Sequence, residues 1–143
     1  MSENARNALI ERTTKEPYAR TMGMRVLEAG EGSALVEMEL TPEMENIFGM
    51  THGGAIFSLA DEAFEVASNS HGTMAVALSM NVTYIAAART GDVLRAEAAE
   101  TSKTRRTGHY TITVSRNDGE LVATCSALVY RKDQPLPFLE SSR

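Results

Sequence analysis

The sequence predicts an α+β fold in which a curved antiparallel β-sheet wraps around one long central helix. One strongly helical segment, residues 53–70, has a wide apolar face. Alternating, strand-like segments precede it, and four more follow it in succession, as in an antiparallel meander. The chain has 143 residues, enough for one buried core, so we expect a single domain over residues 1–143.

The segments before the central helix are short. Residues 3–16 mix charged and small apolar residues at helical spacing and stop at Pro17, which predicts an amphipathic N-terminal helix. Two β-like runs, 24–28 and 34–40, follow it. A loop over residues 43–52 then leads to the central helix.

The second half of the chain predicts strand after strand. The alternating segments are 74–87, 93–101, 107–116 and 121–131. Asn117-Asp118-Gly119 is a strong hairpin turn between the last two. The remaining residues, 133–143, are polar and rich in proline, so we expect a loosely held tail.

The central helix has an apolar arc that covers more than half of its circumference. Its apolar residues are Ile56, Phe57, Leu59, Ala60, Ala63, Phe64, Val66 and Ala67. Asp61 lies at the edge of this arc, where partial burial would raise its pKa and its basicity; the alternative is a solvated surface acid. Glu62 and Glu65 lie deeper in the polar strip, so we expect them to be solvated.

The composition argues against several classes of protein. There are 14 Lys and Arg against 19 Asp and Glu, so the net charge is −5, which disfavours a broad surface for nucleic acid or anionic membrane. The single cysteine, Cys125, cannot form an intrachain disulfide. No signal-peptide h-region and no run of about 18 apolar residues is present. We therefore expect a cytoplasmic domain.

The start of the central helix carries the residues with the clearest chemical potential. Gly53 and Gly54 follow His52, and first-turn N–H groups have no partner within a helix, so they can polarise a carbonyl. Alternatively, the glycines only allow tight packing. His52 can act as a base or make one structural hydrogen bond. Asn46 can donate its amide to a carbonyl or orient a water, or it can shape a turn.

Other reactive residue types form no recognisable motif. Cys125 lies inside a predicted strand with no histidine near it in sequence, so we interpret it as a core residue, and His71 and His109 lack metal-ligand spacing. The nucleotide-binding motif GxxxxGK(S/T) is absent, and so is the dinucleotide-binding motif GxGxxG after a strand. One basic cluster stands at a predicted turn between strands: Lys103, Arg105 and Arg106. It can bind phosphates or be a solvated turn.

The run from Asn46 to Phe64 resembles the hotdog-fold thioesterases of the phenylacetic-acid-degradation (PaaI-like) group. That family has an Asn, a spacer, His-Gly-Gly, and an Asp eight positions after the first Gly. Asn46, His52-Gly53-Gly54 and Asp61 match every element at the same spacing. The resemblance covers about residues 18–131.

The resemblance implies a hotdog fold that dimerises into one continuous sheet, often paired again into tetramers. It implies hydrolysis of an acyl-CoA thioester without metal or other cofactor. The Gly53 N–H would polarise the carbonyl, and Asn46 would help to hold that carbonyl or the water. Asp61 would be the general base or the nucleophile. The acyl group is expected to be aromatic, or else medium-chain.

The resemblance also implies a binding site for the coenzyme A part of the substrate. The residues expected to bind substrate are His52, Gly54, Tyr84, Ser102, Lys103, Thr104, Arg105, Arg106 and Thr107. Some relatives have a serine where Ala77 stands; Ser79 is two residues on, and no serine role is assigned. Two other functions stay open: a non-catalytic acyl-CoA-binding module, and a hydratase or dehydratase, although those enzymes pair their acid with a histidine.

Overall fold

A computed structural model describes residues 1–140 of the chain. The helices are α1 (Glu3–Thr14), α2 (Pro17–Met22), α3 (Gly53–Asn69) and α4 (Pro137–Glu140), with a 3₁₀ turn at Pro42–Met44. The strands are β1 (Arg25–Gly30), β2 (Ser33–Glu39), β3 (Thr73–Tyr84), β4 (Val93–Lys103), β5 (Thr107–Arg116) and β6 (Leu121–Pro135). They form one antiparallel sheet of six strands in the order β1-β2-β4-β5-β6-β3.

The helix α3 packs against this sheet and supplies the middle of the core, which confirms the predicted α+β class. Leu59, Ala60 and Ala63 are completely buried. Their small size lets the helix lie close to the strands, so packing rather than helix propensity holds it in place. Phe64 contacts Tyr110 of β5 edge to face, with ring centroids 5.6 Å apart. The core therefore forms between one helix face and one sheet face.

The N-terminal segment differs from the prediction of one helix that stops at Pro17. The first helix ends at Thr14, and Pro17 begins α2, because proline is well suited to the first turn of a helix. Gly23, with φ of 71°, ends α2 in the left-handed region. This second helix brings Tyr18 to α3, where its hydroxyl lies 2.6 Å from the Ser58 hydroxyl.

The C-terminal segment is better ordered than predicted. Strand β6 continues to Pro135 instead of ending at 131, and Leu136 is buried. The Leu136 N–H donates to the Gly72 carbonyl at 3.1 Å, which ties the segment to the end of α3. The predicted loose tail is therefore wrong for residues 133–140, because an apolar side chain anchors it. The last three residues of that prediction lie outside the described residues.

Strand β3 is an edge of the sheet and carries exposed apolar side chains. Val76 is 39% and Leu78 57% exposed, although apolar residues of an alternating strand usually face a buried side. Tyr84 and Ile85 continue this surface. An exposed apolar edge with unpaired backbone groups is a template for pairing with another strand. We call residues 76–84 the β3 edge.

Two further expectations concern the cysteine and membrane spans. Cys125 is a free, buried thiol of β6, as its assignment to the core predicts. Burial raises its pKa, so the thiol stays protonated and unreactive. Over residues 1–140, no helix combines the length and apolarity needed to cross a bilayer.

Candidate active site

A tight loop precedes α3 and contains Asn46. Glu45 pairs with Thr51 across the base of this loop. The Asn46 side-chain Oδ1 accepts hydrogen bonds from the Phe48 N–H at 2.8 Å and the Met50 N–H at 3.1 Å. Asn46 is therefore a turn-forming residue. Its Nδ2 has no acceptor within residues 1–140 and remains available as a donor.

The first N–H groups of α3 are not equivalent. The Gly54 N–H donates to His52 Nδ1 at 2.8 Å, and the Ala55 N–H donates to the His52 carbonyl at 3.0 Å. The Gly53 N–H has no acceptor in the part of the chain that the structure describes. His52 thus caps the helix and accepts a hydrogen bond, while Gly53 keeps a free donor at the positive end of the helix dipole.

Tyr84 covers the other side of Gly53. Its hydroxyl donates to the Gly53 carbonyl at 3.0 Å. A Cβ atom on residue 53 would stand 3.1 Å from Tyr84 Cζ, so the Tyr84 ring would have to shift by a few tenths of an ångström to admit a larger residue. Glycine therefore permits this close packing. His52 and Gly54 also line a groove of about 750 Å³ between α3 and α2.

Asp61 lies two turns along α3, half-buried in a cavity of about 300 Å³ that we call the Asp61 cavity. Burial, and then the charge of Glu16, raise the pKa of Asp61 above its usual value. This agrees with the prediction of a partly desolvated carboxylate. Ala77 lines the cavity, whereas Ser79 does not, and the register of β3 shifts between them.

Glu62 and Glu65 were predicted to be solvated, and for Glu62 the prediction is wrong. Glu62 is only 5% exposed, and its Oε2 is buried without a hydrogen-bond partner among the described residues. Glu62 is buried because Glu16, in the segment between α1 and α2, lies against the polar side of α3. Burial and the neighbouring Glu65 and Glu16 carboxyl groups raise the pKa of Glu62.

The three glutamates form what we call the acidic cluster. One carboxylate oxygen from each of Glu16, Glu62 and Glu65 lies within 4.8 Å of the others, close enough to share one cation. All three residues line the Asp61 cavity. The helix spacing of Glu62 and Glu65 is visible in the sequence, but Glu16 is 46 positions away and joins them only through the fold.

The predicted phosphate-binding residues lie in the connection from β4 to β5, which we call the basic turn (residues 102–107). Thr104 and Thr107 close this turn with a hydroxyl–hydroxyl contact of 2.9 Å, and Ser102 contacts His109. Lys103, Arg105 and Arg106 are all exposed. The arrangement leaves their charges at the protein surface, where a phosphate can reach them.

Neighbouring residues of β6 modify the charge of the basic turn. Arg105 pairs with Asp133 at 2.7 Å, and Arg106 donates to the Tyr130 hydroxyl at 2.9 Å. Arg131 donates to the Thr104 carbonyl at 2.8 Å and adds a further positive charge. Sequence reasoning missed Arg131, because strand pairing rather than sequence proximity brings it to the turn.

The candidate residues do not all meet within one chain. Gly53 and Asp61 are eight residues apart on α3, about 12 Å along its axis. The basic turn ends at Thr107, the first residue of β5, which pairs with Tyr130 of β6. Tyr130 pairs in turn with Val76 near the start of β3, whereas Tyr84 lies at the other end of β3. Eight residues of strand separate Val76 from Tyr84, roughly 27 Å. One chain therefore holds the basic turn and the Gly53 donor at opposite ends of the sheet.

Comparison with known proteins decides the family. Residues 48–123, more than half of the chain, match the model of the thioesterase superfamily, 4HBT. The chain belongs to the thioesterase superfamily. The match includes Gly53 and Asp61, and it makes the chain a thioester-hydrolysing enzyme with the expected hotdog fold. It also confirms the resemblance on which the expected site residues rest.

Relatives of this thioesterase agree in sequence and in structure. The acyl-coenzyme A thioesterase PaaI of Escherichia coli is 36% identical over 105 residues, 73% of this chain and 75% of PaaI. The solved structure of E. coli PaaI superposes with a TM-score of 0.85 at 30% identity, covering 92% of this chain and 98% of that one. A Streptococcus mutans protein solved with acetyl-CoA bound has a TM-score of 0.76 at 25% identity, covering 79% and 91%.

Proposed function

We propose that this thioesterase hydrolyses an acyl-CoA thioester to the free acid and CoA, with Gly53, Asp61 and Asn46 at the reacting centre. The observation that carries the proposal is the free N–H of Gly53 at the start of a helix that also holds the half-buried Asp61. The names of two similar proteins support the substrate class: one is an acyl-CoA thioesterase, and the other was solved with acetyl-CoA.

The chemistry follows from the environments of these groups. The thioester carbonyl accepts a hydrogen bond from the Gly53 N–H, which stabilises the negative charge that develops on its oxygen. The free Nδ2 of Asn46 assists by holding that oxygen or the attacking water. Asp61 either removes a proton from the water, which then attacks the carbonyl carbon and displaces the CoA thiolate, or attacks that carbon itself. In the second route, the CoA thiolate leaves as an anhydride forms, and water then hydrolyses the anhydride to the free acid and Asp61. Its raised pKa makes it a stronger base in either role.

A second copy of the chain completes each site in this proposal. The separation of about 12 Å along α3 is too long for Gly53 and Asp61 of one chain to act on one carbonyl, because reacting atoms must approach within ~3–3.5 Å. Antiparallel pairing of two β3 edges places the two α3 helices side by side. Gly53 of one chain then faces Asp61 of the other, in a twofold dimer that can pair again into a tetramer.

The same pairing accounts for the position of the basic turn. In one chain, this turn lies at the end of the sheet remote from its own Gly53. An antiparallel partner brings its Gly53 and Tyr84 toward that end. Lys103, Arg105 and Arg106 can then bind the phosphates of a CoA whose thioester is held by the other chain.

The reaction can be tested with a panel of acyl-CoA thioesters and a thiol-reactive dye. We expect release of free CoA from aromatic or medium-chain thioesters, and no release with Asp61→Asn. Binding measured by calorimetry without thiol release would support the acyl-CoA-binding module instead. Loss of enoyl-CoA absorbance without thiol release would support a hydratase. Either of these results would overturn the proposal.

A further inference from the structure

The Asp61 cavity has a strongly acidic wall beyond the candidate base itself. Glu16, Glu62 and Glu65 line it together with Asp61, and the hydroxyls of Ser58, Ser68 and Tyr18 add polar groups. Glu62 is nine-tenths buried and keeps one carboxylate oxygen without a hydrogen bond. A buried, unpaired carboxylate oxygen is costly, which indicates a ligand that donates to it.

The four acids lining the cavity have no ion-pair partner within residues 1–140. The basic residue nearest in sequence to Glu16, Lys15, pairs with Glu11. Arg12 lines a neighbouring cavity together with Glu16 and Glu65 but forms no ion pair with them. The cavity volume of about 300 Å³ is at the lower end for small organic ligands and far exceeds one metal ion. The occupant that fits both facts is an organic group with a positive charge.

We propose that the Asp61 cavity binds the acyl part of the substrate and that the acidic cluster binds a protonated amine at its far end. The inference rests on the proposed thioesterase function and names the substrate class: acyl-CoA thioesters with an ammonium group remote from the carbonyl. Glu62 and Glu65 are specificity-determining residues in this assignment, and Glu16 adds a third carboxyl group to the cluster.

The helix spacing sets the length of the acyl chain. Asp61 and Glu65 are four residues apart and lie on the same side of α3, about 6 Å along the axis. A carbonyl beside Asp61 therefore leaves room for a short chain before its end reaches Glu65 and Glu62. A six-carbon acyl group spans this distance.

The terminal group of the acyl chain decides how the substrate interacts with these acidic residues. An ammonium group donates up to three hydrogen bonds and neutralises the negative charge of the cluster. A methyl group leaves the Glu62 oxygen unpaired, and a carboxylate is repelled. Burial is the main cause that raises the pKa of Glu62 and of Glu65, and the neighbouring Glu16 carboxyl group raises both further.

Four thioesters of matched length test the proposal: 6-aminohexanoyl-CoA, 6-hydroxyhexanoyl-CoA, heptanoyl-CoA and adipoyl-CoA. They differ almost solely in the terminal group. We expect kcat/KM to fall in that order, with 6-aminohexanoyl at least about tenfold above heptanoyl, as for a charge-assisted hydrogen bond. An equal or higher value for heptanoyl would overturn the inference. If none of the four releases CoA but an aromatic acyl-CoA does, the inference is overturned and the thioesterase function stands. Release of CoA from neither class would instead contradict the thioesterase function itself.

Variants separate a specific role from a structural one. In Glu62→Gln and Glu65→Gln, the ratio of kcat/KM for 6-aminohexanoyl over heptanoyl should fall about tenfold. The matched control is Glu97→Gln, an exposed strand residue outside the cavity, which should keep the wild-type ratio. An unchanged ratio in folded Glu62→Gln and Glu65→Gln would overturn the inference. Stabilisation of the wild type by CaCl₂ or MgCl₂ that Glu62→Gln abolishes, without an amine preference, would assign the cluster to a metal ion instead.

Discussion

Gly53 and Asp61 share the helix α3, but the free N–H of Gly53 lies at its first residue and Asp61 lies two turns further on, beside the acidic cavity. The separation of about 12 Å along the axis exceeds the reach of an aspartate side chain. Each group is suited to one half of thioester hydrolysis: Gly53 to polarise the carbonyl, Asp61 to supply or activate the nucleophile. In the proposed mechanism, cooperation between them requires two chains.

Asp61→Asn should lower kcat at least ~100-fold while leaving CoA binding intact, because the amide can neither accept a proton from water nor attack a carbonyl. The shape of the side chain is retained, so the fold should persist. Steady-state kinetics, with circular dichroism and calorimetric CoA binding as controls, measure both effects. A kcat near that of the wild type would remove Asp61 from the reaction.

Replacing Lys103, Arg105 and Arg106 together with alanine should raise KM about tenfold and change kcat little. These charges would bind phosphates equally in the ground state and the transition state. The wild-type KM should also rise with salt concentration. Lys15→Ala, an exposed charge in another region, serves as the control. If KM stays unchanged, the basic turn is only a solvated turn.

The sequence was sufficient for the elements whose pattern is local. The central helix was predicted at 53–70 and occupies Gly53–Asn69, and the strand at 107–116 agrees to the residue. The candidate site was found through the spacing of Asn46, His52, Gly53 and Asp61, which lie close together in sequence. Local spacing also carried the prediction of a partly desolvated Asp61.

Features that depend on distant segments could not be predicted. The burial of Glu62 depends on Glu16, which reaches it through the turn into α2. The ordered end of the chain depends on Leu136, whose apolar side chain overrides the polar composition around it. The exposed face of β3 has a different cause: the alternating pattern indicates a strand but does not show what covers each face, and within residues 1–140 the Leu78 side chain stays 57% exposed.

The stability of the protein should fall as the pH rises above about 5. Burial raises the pKa of Asp61 and Glu62, so the folded state holds protons that the unfolded chain releases near its ordinary values, 3.8 for Asp and 4.5 for Glu. Each extra proton costs up to about 1.4 kcal/mol per pH unit above those values. Denaturant unfolding at pH 5 to 8 should show this loss, and Glu62→Gln should lose less. Equal slopes would contradict the burial of an acid at this position.

Leu78→Asp should convert the dimer to a monomer and abolish activity. The side chain is more than half exposed in one chain, so the monomer should tolerate the change. Paired β3 edges, in contrast, would bury two negative charges close to each other. Light scattering after gel filtration reports the mass. The control is Leu27→Asp in β1, at the other edge of the sheet, which should keep the dimer. A dimeric, active Leu78→Asp protein would place the interface elsewhere.

The measurement that tests the shared site most directly is complementation between two inactive variants. Asp61→Ala and Asn46→Ala subunits are refolded together in equal amounts, and mixed dimers are confirmed by native mass spectrometry. Sites shared between chains predict that half of the dimers are mixed and that each has one intact site, so about a quarter of wild-type activity returns. If each site is built within a single chain, every site retains one substitution and no activity returns. Absence of recovery in a sample shown to contain mixed dimers would therefore contradict the shared-site account.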